Sequence, residues 1–168
     1  MPRALASYAF RPMTRADLPL MAGWLAAPHM AEWWGDPVDE LREVEGALGS
    51  DTVRPYIVLI DGEPAGYLQS YDIHAEDGHP YRDQPAGTIG IDLSIGRPEL
   101  IGQGHGPRLI DAFVQRLFAE GAPRVVLDPD PANRSAIRAY AKAGFRPLGE
   151  RTSIYGPAVI MARDANQN

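Results

Sequence analysis

A glycine-rich turn, Ile101-Gly102-Gln103-Gly104-His105-Gly106-Pro107, stands between a predicted strand and a predicted helix. Glycine lets backbone N–H groups come close to a phosphate, and the N-terminus of a helix adds positive potential. The turn lacks the lysine of a P-loop, and no acidic residue follows at the distance found in dinucleotide-binding units. The residues alone therefore leave two interpretations open, a phosphate-binding turn and a tight structural turn.

The charges of the 168-residue chain sum to −6 but are unevenly distributed. Residues 29–92 hold fourteen acidic side chains and three arginines, a balance of −11, whereas residues 1–28 carry +2 and residues 93–168 carry +3. This division predicts a cationic partner for the middle of the chain and an anionic partner for its C-terminal part. The alternative is that the acids only solvate surface helices. An acidic chain also argues against bulk binding of DNA or RNA.

Residue counts exclude several kinds of site. The chain has no cysteine, so it has no disulfide framework, cysteine nucleophile or thiolate metal site. No run of 18 apolar residues predicts a membrane span, and the first residues lack the apolar core of a signal peptide, so we expect a cytoplasmic protein. Length and composition predict one globular domain over residues 1–168. We expect no metal site, because four histidines lack the spacing of metal ligands: His29, His74, His79 and His105.

Alternation of apolar and polar residues, apolar runs and turn residues predict seven strands, at residues 8–13, 56–60, 65–73, 88–95, 125–127, 145–155 and 158–162. Asp61-Gly62 is a hairpin turn signal, and residues 76–86 are predicted to form a loop. Helices are expected after an N-cap at Thr14 and at residues 37–48, 107–120 and 133–143, with Pro28 ending the first of them. This order predicts an α/β (α+β) fold, with a mixed central sheet of about seven strands flanked by about four helices, and adjacent parallel strands within residues 88–144.

A second stretch, Asp128-Pro129-Asp130-Pro131-Ala132-Asn133, opens the last helix, which carries Tyr140 and ends at Gly144-Phe145. Together with the glycine-rich turn, it resembles the acetyl-coenzyme A site of the GNAT superfamily of N-acetyltransferases. The resemblance implies a GNAT fold with acetyl-CoA as co-substrate, Asn133 beside the pantetheine arm and Tyr140 beside the sulfur. The cofactor-binding positions that it implies are Ile91, Leu93, Ile95, Gly102, Gln103, Gly104, His105, Gly106, Pro107, Arg108, Asn133 and Tyr140.

The resemblance narrows to aminoglycoside 6′-N-acetyltransferases. It rests on His29-Met30-Ala31-Glu32-Trp33-Trp34-Gly35, Tyr67-Leu68-Gln69-Ser70-Tyr71, Gly90-Ile91-Asp92-Leu93-Ser94 and Gly156-Pro157-Ala158-Val159, and it runs from about residue 10 to residue 161. In that family, acids at the positions of Asp77, Asp92 and Asp128 line the drug pocket. Such drugs are polycations, which suits the acidic segment. The substrate-binding residues that we expect are Trp33, Trp34, Gln69, Tyr71, Asp77, Asp92 and Asp128.

Acetyl transfer to an amine requires that the ammonium first lose a proton. The resemblance implies Asp92 as the first candidate to accept it and Asp128 as the second, with backbone N–H groups of residues 90–93 stabilising the oxyanion. Tyr140 is the candidate that protonates the departing thiolate. Each residue also has a structural interpretation: Asp92 as a hydrogen-bonded structural acid, Asp128 as a turn residue and Tyr140 as core. Because no cysteine is present, we expect direct transfer.

Two competing functions remain open. One is a GNAT acyltransferase for hydroxylysine in siderophore synthesis or for another small polyamine, which shares the cofactor turn but has less need of the acidic loop. The other is a non-catalytic module that binds a nucleotide or a cationic drug. For the aminoglycoside enzyme we expect a small cationic substrate, no nucleic acid or membrane partner, and a monomer or weak dimer.

Overall fold

The computed structural model describes residues 5–75, 77–153 and 156–166. Seven strands form one mixed sheet in the order β1-β2-β3-β4-β5-β7-β6. The strands are β1 Tyr8–Pro12, β2 Val53–Ile60, β3 Glu63–Asp72, β4 Ile89–Ile95, β5 Arg124–Leu127, β6 Arg146–Ser153 and β7 Gly156–Asp164. The α-helices of the described residues are α1 Leu18–Leu25, α2 Pro28–Trp34, α3 Pro37–Leu48, α4 His105–Ala119 and α5 Arg134–Lys142. The predicted mixed sheet and its strand count are confirmed. Three residues of predicted elements lie outside the described residues: Glu76 of the predicted loop, and Ile154 and Tyr155 of the predicted strand 145–155.

The helix α2 was not expected, since the sequence predicted about four helices and took Pro28 as the end of the first. Pro28 instead occupies the first position of α2, where its missing N–H has no helical partner to lose. Gly35, at φ +97°, ends this helix. Asp36 then caps α3 by accepting hydrogen bonds from two backbone N–H groups, those of Val38 and Asp39, each at 3.0 Å. Residues 28–48 therefore form two helices, each beginning at a proline, where the sequence predicted an irregular segment followed by one helix.

The hairpin between β2 and β3 turns at Asp61-Gly62, as predicted. Asp61 has φ +51° and Gly62 has φ +83°. Positive φ at both central residues is the type I′ geometry that matches the twist of paired strands. The Asp61 side chain also accepts a hydrogen bond from the Ser7 backbone N–H at 2.9 Å. The turn thereby fixes the register of β3, the strand that carries Gln69 and Tyr71.

The described chain divides into two compact units. The first unit comprises residues 5–69 and 93–105, and the second comprises residues 70–92 and 106–166. The single domain predicted for residues 1–168 stays a prediction. In the first unit, α1, α2 and α3 pack over β2 and β3 around a core of buried residues: Met13, Met21, Trp24, Leu25, Met30, Val44, Ile57 and Tyr67.

The second unit contains a parallel pair of strands and two antiparallel pairs. β4 and β5 are parallel, as predicted, whereas β7 pairs antiparallel with both β5 and β6. The helix α4 buries one face through residues spaced at helical intervals: Leu109, Ile110, Phe113, Val114 and Leu117. Residues from the loop and the strands form a second cluster of this unit: Ile73, Tyr81, Val126, Ile160 and Ala162. Among the described residues, no helix is both long and apolar enough to cross a membrane.

Candidate active site

One aspartate, Asp92, lies in the middle of β4, and another, Asp128, directly follows the neighbouring parallel strand β5. In the register of β4 and β5, Gly90 is opposite Val126. Continuing this register by two residues places Asp92 opposite Asp128. Asp92 is near enough to Asp128 to shift the pKa of that carboxyl. We refer to these two residues as the acid pair.

The Asp128 carboxyl is partly buried and accepts a hydrogen bond from a tyrosine. The hydroxyl of Tyr81 donates to Asp128 Oδ2 at 2.9 Å. Burial is the largest influence on Asp128 and raises its pKa, while Tyr81, the charge of His79 and the Asp92 side chain act in the opposite direction. The result is an acid whose pKa is raised towards neutrality, which is the direction that suits a proton acceptor for an amine.

Tyr140 completes a group of three with the two acids. It lies on α5, whose first turn is capped by Asn133, the side chain of which accepts a hydrogen bond from Ala136 N at 3.2 Å. Burial raises the pKa of Tyr140, and the charges of Asp92 and Asp128 raise it further. The phenol therefore remains protonated at neutral pH and has a hydroxyl hydrogen to donate. The predicted catalytic residues are thus brought together on β4, directly after β5 and on α5.

The aromatic ring of Tyr71 lies against the backbone of Gly90, two residues before Asp92. A Cβ atom at Gly90 would lie 2.7 Å from Tyr71 Oη and closer still to two ring carbons, so only glycine leaves room for this ring. The Tyr71 ring also contacts the His79 ring, with centroids 5.7 Å apart. Tyr71, predicted as substrate-binding, is therefore part of the same neighbourhood as the acid pair.

Asp77, predicted as substrate-binding, has a fully exposed side chain. One of its carboxylate oxygens lies 3.8 Å from Arg82 Nη1. The same loop is attached to β6 by Arg151, whose guanidinium forms an ion pair with Asp83 and donates to the Pro80 carbonyl oxygen at 3.1 Å. The role of Asp77 stays a prediction.

Tyr81 was not predicted as a site residue, and His79 was considered only as a metal ligand. Tyr81 is 3% exposed although it lies in a segment predicted as loop. Residues 76–86 contain no phenylalanine or tryptophan, and Tyr81 is their one tyrosine. A large aromatic residue in an otherwise polar loop is a signal for burial that could have found it.

The glycine-rich turn has the backbone freedom that phosphate binding needs. Gly102 and Gly104 have φ +76° and +83°, and Cβ atoms at either position would meet open space. The turn leads into α4, whose first residue, His105, has Nδ1 2.9 Å from the Tyr8 hydroxyl. Open backbone before a 15-residue helix fits the pyrophosphate of an acetyl-CoA molecule.

The other predicted cofactor positions differ in exposure. Ile91 is fully buried, while Leu93 and Ile95 are half-buried and Gln103 and Arg108 are exposed. Within the second unit, an open groove of about 640 Å³ is lined by Pro107, Arg108, Asp111, Lys142, Ala143, Gly144 and Arg163. A Cβ atom at Gly106 would lie 3.8 Å from the Cβ atom of Ala139, so α4 and α5 approach each other closely there. Binding of the cofactor by these residues stays a prediction.

The remaining predicted substrate residues lie in the first unit. The Trp34 ring contacts the Tyr67 ring edge-on, with centroids 5.8 Å apart, and the Tyr67 hydroxyl donates to Gln69 Oε1 at 2.7 Å. Trp33 is 41% exposed, which is unusual for so large an apolar side chain. No group of three potential metal ligands occurs among residues 5–75, 77–153 and 156–166.

Comparison with known proteins gives concordant findings. The model of the acetyltransferase (GNAT) domain matches residues 13–153. Aminoglycoside N(6′)-acetyltransferase type 1 of Klebsiella pneumoniae is 37% identical over 166 residues, which is 94% of this chain and 83% of that protein. Lysine N-acyltransferase MbtK of Mycolicibacterium paratuberculosis is 30% identical over 163 residues, which is 94% of this chain and 74% of that protein.

Solved structures agree with the sequence comparisons. The structure of AAC(6′)-Ib with paromomycin and acetyl-CoA superimposes with a TM-score of 0.85 at 36% identity, covering 94% of this chain and 93% of that one. The structure of the same enzyme with coenzyme A and kanamycin gives a TM-score of 0.84, covering 94% and 95%. The domain match, the relatives and the seven-stranded mixed sheet together show that the chain belongs to the GNAT acetyltransferase family.

Proposed function

We propose that this protein transfers the acetyl group of acetyl-CoA to the 6′-amino group of aminoglycoside antibiotics. The observation that carries the proposal is the similarity to an aminoglycoside N(6′)-acetyltransferase, 37% identical over 94% of this chain. The acid pair supports it, because an ammonium group is recognised by carboxylates and must give up a proton before it can attack a thioester. The acidic segment, at −11 over residues 29–92, would attract a polycation to the same protein.

The chain's own residues supply the proton chemistry. Acetyl-CoA, when bound, supplies the activated acetyl thioester. The carboxyl pair of Asp92 and Asp128 orients the substrate ammonium and takes a proton from it. Tyr140, which stays protonated at neutral pH, is the residue that donates to the departing sulfur. The open backbone of Gly102 and Gly104 gives N–H groups access to the pyrophosphate.

A thiol-release assay with acetyl-CoA tests the proposal. Purified protein is offered kanamycin, tobramycin, hydroxylysine and spermidine at equal concentrations. The proposal expects turnover with the aminoglycosides, and it expects the KM for them to rise with ionic strength because charge attracts the substrate. Rapid turnover of hydroxylysine with none of any aminoglycoside would overturn it.

A second candidate is N-acylation of lysine or hydroxylysine. It is favoured by the 30% identity to lysine N-acyltransferase MbtK over 94% of this chain. The acid pair would serve that reaction as well, since its nucleophile is also an amine nitrogen. The hydroxylysine arm of the same assay distinguishes the two functions.

A non-catalytic binding module is distinguished by variants. We expect Asp92→Asn and Tyr140→Phe to reduce turnover while the Kd for acetyl-CoA stays unchanged. Cells that express either variant should lose drug protection. Full protection in cells carrying both substitutions would favour sequestration of the drug over catalysis.

The remaining expectations concern location and partners. We propose a cytoplasmic enzyme, since acetyl-CoA is an intracellular metabolite, that acts on a small cationic molecule and has no nucleic acid or membrane partner. We propose a monomer or weak dimer, which light scattering across a concentration series would test.

A further inference from the structure

Tyr81 is a buried residue beside Asp128, and the proposed mechanism gives it no role. It is 3% exposed, and its hydroxyl donates to Asp128 Oδ2 at 2.9 Å. Its ring contacts the cluster formed by Ile73, Val126, Ile160 and Ala162. A buried phenol hydroxyl that donates to Asp128 is placed to influence the protonation of that carboxyl.

The ring of Tyr81 is fixed on several sides, so its hydroxyl has a defined direction. The His79 ring meets it edge-on, with centroids 5.3 Å apart, and His79 Nδ1 accepts a hydrogen bond from Tyr81 N at 3.2 Å. The Arg151 guanidinium lies 5.8 Å from the ring centroid. Arg151 is itself held by the ion pair with Asp83. The hydrogen bond to Asp128 is therefore pre-organised.

The direction of this hydrogen bond determines which form of Asp128 it stabilises. A carboxylate that accepts an O–H hydrogen bond is stabilised in its ionised form. Burial raises the pKa of Tyr81, and the negative charges of Asp128 and Asp92 raise it further, so the phenol keeps its proton and remains the donor. The hydrogen bond from Tyr81 therefore favours the ionised form of Asp128, against the effect of its burial.

We propose that Tyr81 is a positioning residue that favours the ionised form of Asp128, and hence makes Asp128 the group that accepts the proton of the substrate amine. The inference rests on the proposed N-acetyltransferase function and changes the order of the two candidate bases. The proton passes from the substrate ammonium to Asp128, which leaves the nitrogen lone pair free for attack. Tyr81 keeps its own proton.

Tyr81 and burial act on Asp128 in opposite directions, since burial raises its pKa and the hydrogen bond from Tyr81 lowers it. His79 and Asp92 also act on Asp128, while Asp92 and Asp128 both raise the pKa of Tyr140. The positive charge of Arg151 acts on Tyr81, but Asp83 neutralises it. Tyr81 supplies the hydroxyl hydrogen bond to Asp128 that the described structure shows, so its removal is a selective perturbation.

Tyr81→Phe tests the proposal, because it removes the hydroxyl and keeps the ring. The acidic limb of the pH profile of kcat/KM, measured with whichever amine the enzyme acetylates, should move up by about one to two pH units. The KM for acetyl-CoA should stay unchanged. Tyr56→Phe, at a buried tyrosine of β2 outside the candidate site, is the matched control and should leave the limb in place.

Carboxyl ¹³C NMR titration of the free protein gives a readout that needs no substrate. The apparent pKa values of the pair should rise in Tyr81→Phe by the same amount as the kinetic limb. A lower kcat with an unmoved limb and unmoved titration would show a purely structural role and overturn the proposal. Failure of aminoglycoside turnover in the wild type would instead overturn the proposed function and leave this titration valid.

A second pair of variants applies if Tyr81→Phe does not fold. Asp128→Asn should lower kcat/KM at least tenfold more than Asp92→Asn, and only Asp128→Asn should abolish the acidic limb. An equal or larger loss in Asp92→Asn, with the limb removed there, would overturn the assignment.

Discussion

Gly90 lets the ring of Tyr71 pack against β4, and its replacement by alanine provides a quantitative test of this packing. The new Cβ would lie 2.7 Å from Tyr71 Oη and well within 3.0 Å of two ring carbons. Overpacking of this kind costs about 1–3 kcal/mol. For a chain of this length, each kcal/mol lowers the Tm by about 2–4 °C. Gly90→Ala should therefore lower the Tm by about 2–12 °C.

The cause of that loss can be isolated by a double-mutant cycle with Tyr71→Ala. Gly90 does not have a positive φ, so alanine fits its backbone. Without the Tyr71 ring, Gly90→Ala should be neutral or stabilise the protein by about 0.5 kcal/mol, because glycine is unfavourable inside a strand. The coupling free energy between the two positions should thus be about 1–3 kcal/mol, measured by equilibrium urea unfolding of the four proteins.

Gly46→Ala is the matched control for the glycine change. Gly46 lies within α3, and a Cβ there would meet no atom within 4 Å. We expect this variant to be stabilised by about 0.5–1 kcal/mol. If Gly90→Ala costs the same free energy with and without the Tyr71 ring, the close approach of ring and strand is not the cause and the reasoning is refuted.

Three further predictions concern catalysis, pH dependence and a second close approach. Tyr140→Phe should reduce kcat by about 10²-fold or more with the Kd for acetyl-CoA unchanged in calorimetry; an unchanged kcat would remove Tyr140 from the mechanism. Arg124 and Arg146 lower the pKa of Asp164, so its stabilising effect is complete above the unfolded pKa and is lost as the pH falls through the lower folded value. Asp164→Asn should accordingly cost about 1 kcal/mol at pH 7 and less at pH 3 in urea unfolding, whereas a constant cost would contradict the ion-pair explanation. Gly66→Ala should destabilise by about 3 kcal/mol, because its Cβ would meet the Ser94 carbonyl oxygen, a backbone atom; wild-type stability would show that the strands can separate.

The sheet could be predicted from sequence because local signals and global pairing agree. Asp61-Gly62 adopts the positive φ values that a two-residue hairpin turn requires. Thr14 forms the predicted cap with Asp17, although the first turn is a 3-10 helix. The apolar spacing of α4 predicts the face that it buries. In each case the signal lies within a few residues.

The helix α2 was not predicted because a proline can either end one helix or begin the next. Pro28 was interpreted as a terminator, but its fixed φ also suits the first helical position. The two uses differ only in the conformation of the residue before it, and Ala27 is extended at ψ 141°. The residue type at position 27, alanine, does not indicate that conformation.

The candidate site was predictable to the extent that it lies on regular elements. Asp92, Asp128 and Tyr140 occupy β4, the end of β5 and α5, and the parallel register brings the two acids together. Tyr81 lies in a loop, where its position depends on contacts with residues distant in sequence, such as Arg151 and Asp128. Periodicity carries no information about such contacts.

The central claim, acetylation of an aminoglycoside at its 6′-amine by this GNAT enzyme, is tested most directly by the structure of the product. Purified protein, acetyl-CoA and kanamycin are incubated, and the isolated product is examined by mass spectrometry and two-dimensional NMR. The account predicts a single acetyl group on the 6′-nitrogen. Acetylation at another amine, or unmodified kanamycin under conditions in which hydroxylysine is acylated, would contradict it.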